Sequence, residues 1–378
     1  MIESSFTLNK VQPMQVPFYN FQELHNAAFR EQANARIAKI LETNAFVDGE
    51  YNHSFETEFA KKQGAKHCLL LANGTDALEI ALNVHNVGPG DKVGVPGITF
   101  YATVEAILNV GATPVFIDVD IDSGLICPES TKRMIDQHSL KAIMPVHIYG
   151  LPAPIAELEK ICHPKKVAII EDAAQAQGTF LGTKPVGSTQ NLVTFSFYPT
   201  KNLGAAGDAG AILCQDDEHA RIVKVIRNHG RGDDSRLGRN SRCDHMQAAI
   251  LDLKLPTIDQ QNQARKNHAR SYHQKLSKLP IKLLNEVFLD QSSWHLYPIH
   301  LGSPQERMQL QEHLKSKGVA SQPFYETALS EMKSVAHFPG EDKMAKALAG
   351  RVLCLPMSPF LTEAEIDYVR DSISEFYS

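Results

Sequence analysis

Seven short apolar runs separated by helix-like stretches, between Lys66 and Cys214, constrain this chain more than any other feature. They are HCLLLA (67–72), KVGVP (92–96), ATPVFIDVD (112–120), KAIMPVHIYG (141–150), VAIIED (167–172), LVTFSFYP (192–199) and GAILC (210–214). Runs without polar alternation belong to strands covered on both faces. Helical patterns such as TDALEIALNVH (75–85) and TFYATVEAILNVG (99–111) supply the cover. The pattern predicts a mostly parallel sheet in an α/β domain. In such sheets ligands bind beyond the carboxyl ends of the strands, so the residues just after each run become the candidates.

Beyond about residue 250 the pattern changes. Residues 243–279 read as one or two long helices. An alternating run, SSWHLYPIHL (292–301), follows, then helices near Pro304–Lys317 and Thr362–Tyr377. A chain of 378 residues, 43% of them hydrophobic, can bury a large core and suggests two domains. We place a large α/β domain at 1–250 and a smaller α+β domain at 251–378. A net charge of −5 gives no global attraction for nucleic acid or an anionic membrane. The start, MIESSFTLNKVQPMQV, lacks a basic segment followed by an apolar run, so no signal peptide is expected. The six cysteines are scattered without CxxC or CxC pairs and read as reduced thiols of a cytoplasmic protein, with no metal site.

The strand ends carry the chemistry. After the first run, Asn73-Gly74-Thr75-Asp76 opens a helix. Gly74 permits a tight turn, and free N–H groups there attract an anion, although a plain N-cap by Thr75 or Asp76 fits as well. VAIIED ends in Asp172, with Gln175 three positions on. A carboxylate at a buried strand end needs a partner: either it caps the next helix or it accepts from a cationic ring nitrogen, with Gln175 reaching a neighbouring ring oxygen. LVTFSFYP delivers Ser196, and five residues later comes Lys201, followed by the glycines and alanines of NLGAAGDAG. A surface lysine needs no such clearing. In a desolvated, cation-rich niche its amine becomes a nucleophile toward carbonyls.

An anion cradle, an aspartate for a ring nitrogen, a glutamine for a ring hydroxyl and a lysine for an aldehyde together describe pyridoxal 5′-phosphate. A flat aromatic is needed to cover the ring. Phe100, after the second run, is the first candidate and Tyr101 the second, with core packing as the plain alternative for both.

The sequence also resembles the DegT/DnrJ/EryC1/StrS family of sugar aminotransferases. Matching segments include NGTDALEIAL (73–82), PGITFYATVEAILNVGATPVFIDVD (96–120), IIEDAAQAQG (169–178), SFYPTKNLGAAGDAGAI (196–212), NSRCDHMQAAIL (240–251) and LCLPMSPFLTEAEI (353–366), in the family's order. The resemblance implies the aspartate-aminotransferase-like fold (PLP fold type I), with a mostly parallel seven-stranded sheet, and a homodimer with active sites at the subunit interface. It implies that Lys201 is the Schiff-base lysine, Asp172 the pyridinium partner and Gln175 the contact to the ring hydroxyl. Phe100 becomes the stacking aromatic, and Thr75 and Ser196 contact the phosphate. Asn240 reaches the phosphate from the neighbouring subunit.

The activity implied is transfer of an amino group from L-glutamate to a ketosugar. The acceptor is a nucleotide-linked keto-deoxysugar, or a free keto sugar acid such as an 8-keto-octulosonate of lipopolysaccharide biosynthesis. Arginines crowd the segment before Asp244, and Arg231 and Arg239 are candidates for meeting an anionic substrate; a solvated loop is the plain alternative. Two positions depart from the family pattern. SQPFYE (321–326) carries Phe324 before Tyr325 where a histidine is common, in a segment that borders the substrate, and LPMSP carries Ser358 in place of another histidine. Competing functions are a sugar dehydratase or an aminohydroxybenzoate-type synthase, and a non-catalytic regulatory protein that retains the fold. The presence of Lys201 and the absence of cluster-forming cysteines weigh against the dehydratases.

Overall fold

The computed structural model describes residues 14–378; the N-terminal segment on which the signal-peptide expectation depends falls largely outside the described residues. The large sheet contains β1 (His67–Leu71), β2 (Lys92–Pro96), β3 (Thr113–Ile117), β4 (Ala142–Ile143), β5 (Ala168–Asp172), β8 (Leu192–Ser196) and β9 (Gly210–Cys214). Between β5 and β8 lies a separate hairpin of β6 (Phe180–Leu181) and β7 (Lys184–Pro185). The sheet order is β1-β9-β8-β5-β4-β2-β3. Only β9 runs antiparallel to its neighbours, so the expected mostly parallel seven-stranded sheet is found, with each apolar run contributing one strand.

The fourth run is much shorter than its apolar stretch. Pro145 has no N–H to continue the ladder, and after it the chain makes only a single bridge, Val146 to Asp172, before a turn of 3₁₀ helix at Ile148–Gly150. Its carbonyl still serves, accepting the Asp172 N–H at 2.9 Å. The third run stops at Ile117 because Asp118 turns away. Its buried carboxylate accepts the N–H groups of Met344 and Ala345 at the start of another helix.

One face of the sheet packs on stacked and edge-on phenylalanines: Phe59 meets Phe195 at 5.2 Å and Phe197 at 5.3 Å. The helix Gly74–Val84, buried from Ala77 onward apart from Asn83, covers the other face with Ala102–Asn109. A further apolar cluster runs from Val115 and Ile117 to Leu353 and Val369, joining the sheet to the C-terminal elements. These are the antiparallel pair β10 (Tyr297–His300) and β11 (Val352–Leu355), flanked by helices Ile258–Leu276, Pro304–Ser316 and Glu363–Phe376. All six cysteines are unpaired. No helix among the described residues is long and apolar enough to cross a membrane.

Candidate active site

The carboxyl ends of β1, β2, β5 and β8 share one edge of the sheet, because β1 and β8 both oppose β9. At the end of β1 the helix cap is Asn73, whose side-chain oxygen accepts the Asp76 N–H at 2.7 Å; Thr75 and Asp76, the capping candidates, lie inside the helix. Gly74 and Thr75 therefore present backbone N–H groups at the positive end of the helix dipole. A β-carbon on Gly74 would lie 2.7 Å from Ser196 Cβ, so only glycine allows this helix start to approach the end of β8.

Asp172 ends β5 and is 5% exposed. One carboxylate oxygen accepts the Ala174 N–H at 3.1 Å and the other the Thr103 hydroxyl at 2.9 Å. Burial nevertheless raises its carboxyl above the ordinary value, while these donors and the nearby Lys201 act in the opposite direction. Glu171 points to the other face, where the buried His147, Thr189 and Asn191 all hydrogen-bond to it. His147 also gives its backbone N–H to the Asp172 carbonyl, which pins the strand end.

Lys201 follows β8 through a turn in which its N–H donates to the Tyr198 carbonyl at 2.8 Å. Part of the residue remains open to a cavity. Loss of water pushes its amine down to about 8, and Asp172 works in the reverse sense by favouring the charged form. The cause is burial; a cation-rich niche is not what lowers the amine. The small residues after Lys201 also have a simpler role than clearing space. A β-carbon on Gly204 would sit 2.4 Å from the Pro199 carbonyl oxygen, and the Ala205 N–H returns to Phe197 at 2.8 Å, so the loop is folded tightly on itself. The buried Lys254 ammonium holds it there through the Gly204 carbonyl at 2.8 Å.

Gln175, also buried, accepts the Tyr149 N–H at 2.6 Å and donates to the Tyr325 hydroxyl at 3.2 Å. The Tyr325 ring lies 6.4 Å from that of Phe100. Phe100 itself is 60% exposed, which removes core packing as its explanation, and Tyr101 is engaged with Ser334. Phe324 packs on Phe18 with centroids 6.0 Å apart. Ser358 is buried and its hydroxyl accepts the Phe360 N–H at 3.2 Å, so this residue closes a turn. Asp172, Gln175, Phe100, Tyr325, Lys201, Gly74, Thr75 and Ser196 thus occupy the same edge of the sheet.

Asn240 and Arg239 border this edge, because the adjoining Ser241 hydroxyl accepts the Ala72 N–H at 3.3 Å just after β1; among the described residues no hydrogen bond or ion pair joins the Arg231 side chain to it. Asn240 is exposed and bridged to Asn228. Arg231 is exposed, and Arg239 pairs with Glu79 and Asp76 on the helix that β1 leads into.

Thr103 escaped the sequence reading. The signal was present: Thr99 and Thr103 stand four apart just after the second run, and their hydroxyls meet at 2.9 Å beneath Asp172. Thr103→Val keeps the shape but removes the donor to a buried carboxylate, an expected loss of about 1.5–3 kcal/mol. Urea denaturation of the two proteins measures it; equal midpoints and slopes would remove Thr103 from the site.

The model of the DegT/DnrJ/EryC1/StrS aminotransferase family matches residues 28–374. A pleiotropic regulatory protein of Geobacillus stearothermophilus is 36% identical over 96% of this chain and 99% of its own. A UDP-N-acetyl-3-dehydro-alpha-D-glucosamine 3-aminotransferase of Acidithiobacillus ferrooxidans is 38% identical over 90% and 93%. The crystal structure of a DegT/DnrJ/EryC1/StrS aminotransferase from Brucella abortus superposes with a TM-score of 0.91 at 33% identity, covering 96% of this chain and 100% of that one.

Proposed function

The chain belongs to the DegT/DnrJ/EryC1/StrS aminotransferase family, and from that premise we propose that it transfers an amino group from L-glutamate to a nucleotide-linked ketosugar. The cofactor is pyridoxal 5′-phosphate, as in the aminotransferases of this family. The observation that carries the reading is a buried amine, lowered to about 8, next to a buried carboxylate at the C-terminal edge of a parallel sheet.

The residues present fit the cofactor. The Gly74 helix start and Ser196 form a cradle that a single β-carbon would fill. Thr75 and Ser196 offer hydroxyls to the phosphate beside the N–H groups of that helix. Asp172 would hold a proton on the pyridine nitrogen, Gln175 would face the ring hydroxyl and Phe100 would cover the ring face. When bound, the cofactor supplies an aldehyde and an electron sink for charge that develops at the substrate carbon. Lys201 would anchor the aldehyde, and its free amine would carry a proton between the substrate carbon and the acceptor atom, a role suited to a group near 8. Tyr325, hydrogen-bonded to Gln175, stands at the substrate side with Phe100.

The exposed position of Asn240 supports its use in a neighbouring subunit's site, in a homodimer with isologous contacts. Arg231 and Arg239, on the same segment before Asp244, are our candidates for the anionic part of the substrate. We assign the cofactor domain to 1–250 and the smaller domain to 251–378, with the described start of the chain crossing to the latter through the Val16–Val319 bridge, and place the protein in the cytoplasm.

The name of the Acidithiobacillus relative favours a nucleotide-linked 3-ketosugar over a free keto sugar acid. A panel of both acceptor types, offered after reaction with glutamate and followed by 2-oxoglutarate release and return of the visible cofactor band, tests the choice. Turnover of a free ketoacid alone, or no spectral response to glutamate, sinks it. The name of the Geobacillus relative favours a second reading, a regulatory protein that retains the fold. That reading predicts that the cellular role survives Lys201→Ala.

A further inference from the structure

Among the described residues, the non-glycine residues with φ in the left-handed region are exposed, with two exceptions. Tyr149 and Trp294 are buried, at φ 61° and 48°. A bulky side chain keeps that backbone conformation only where its surroundings over-determine it, and such strain gathers at functional sites.

Tyr149 has its three hydrogen-bonding groups tied to three distant segments. Its N–H donates to Gln175 Oε1 at 2.6 Å, and its carbonyl accepts the Leu296 N–H at 3.2 Å. Its hydroxyl donates to the Phe324 carbonyl at 2.6 Å. Loss of water pushes this phenol well above its ordinary value, so it stays a donor. Trp294, the second strained residue, lies on the segment that meets this turn, where the Ser293 N–H donates to the Gly150 carbonyl at 3.2 Å. The other end of the turn is anchored by His147. Its Nδ1 accepts the Ala153 N–H at 3.0 Å, which leaves Nε2 as the donor to Glu171.

These bonds decide how Gln175 is turned. A backbone N–H can only donate, so the Gln175 atom that meets Tyr149 is the oxygen, and the amide nitrogen lies on the Tyr325 side. That nitrogen carries two hydrogens, and Tyr325 is its one hydrogen-bond partner among the described residues. Because Phe324 and Tyr325 are adjacent, the bonds from Tyr149 to Gln175, Gln175 to Tyr325 and Tyr149 to Phe324 close a ring.

We propose that Tyr149 is a positioning residue, which fixes the Gln175 amide with its nitrogen toward the cofactor ring oxygen and locks it to the Phe324–Tyr325 segment. The inference rests on the aminotransferase reading and extends it to a residue that acts only through others. With φ relaxed to the usual negative range, the Tyr149 N–H would leave Gln175. The amide could then flip and set an oxygen against the ring oxygen.

The test reads the pH midpoint of the visible cofactor band in holoenzyme of wild type, Tyr149→Phe, Gln175→Leu and the double variant. A donor at the ring oxygen favours the form in which that oxygen bears its charge alone, so losing the donor moves the midpoint up. Gln175→Leu is expected to raise it by about one pH unit. Tyr149→Phe is expected to raise it by less, and the double variant by no more than Gln175→Leu. An unmoved midpoint in Tyr149→Phe, or a double variant that shows the sum of both shifts, overturns the proposal whatever the melting temperature does. Gln175→Glu keeps an oxygen for the Tyr149 N–H but replaces the nitrogen with a second oxygen. It is expected to raise the midpoint at least as far as Gln175→Leu; a wild-type midpoint there also overturns the proposal, and this variant decides should Tyr149→Phe fail to fold. Failure of the aminotransferase reading looks different: the wild-type protein then forms no visible band, or one that glutamate leaves unchanged.

Discussion

Lys201→Ala is expected to lower amino transfer by about four orders of magnitude or more, the effect of removing both a covalent anchor and the proton carrier. Borohydride treatment of the wild-type holoenzyme followed by peptide mapping is expected to label the peptide that contains Lys201. Label on any other lysine, including the buried Lys254, also lowered to about 8, removes the basis of the mechanism. The amine's position near 8 sets the pH behaviour. Below it the group is protonated and unreactive, so recombination of the apoprotein with pyridoxal phosphate speeds up as pH rises and levels off above about 8. The variant also tests the shared site. Mixing Lys201→Ala with Asn240→Ala subunits creates hybrid dimers in which one site has both residues intact, so activity reappears if Asn240 acts across the interface. Absence of recovery after verified subunit exchange refutes that contact.

Asp172→Asn is expected to cost about 10²–10³-fold in rate while the fold survives. The amide keeps the volume and can still accept from Ala174, but it no longer holds a proton on a ring nitrogen by charge. Stability is expected to move in the opposite direction. Burial raises the Asp172 carboxyl, so the native state binds more protons than the unfolded state in the range just above the usual carboxylate value. Stability in wild-type apoprotein therefore falls as pH rises through that window. The asparagine variant lacks this slope. Thermal melts across the acidic range read the difference, and stopped-flow reduction with glutamate reads the rate. A variant with wild-type rate would move Asp172 out of the chemistry.

The strand runs were legible because a strand covered on both faces must be apolar throughout, and each run gave one strand. Their lengths were less legible. Pro145 and Asp118 end strands through a missing donor and a distant cap, neither of which is an apolarity signal. The glycines after Lys201 suggested a cleared space, whereas Gly204 is there because the backbone at Pro199 comes within 2.4 Å of where a side chain would begin.

The order of residues alone determined which groups stand at strand ends, since each element's end is fixed by its own local pattern. Lys201, Asp172 and Gly74 were found that way, as was the kind of cofactor they suit. Long-range packing alone decided that Thr103 would hold Asp172 and that Gln175 would join Tyr149 to Tyr325. Those pairs are separated by between 26 and 150 residues where hydrogen bonds join them. Burial and charge balance are properties of the space where distant segments meet, and no window of sequence contains that space.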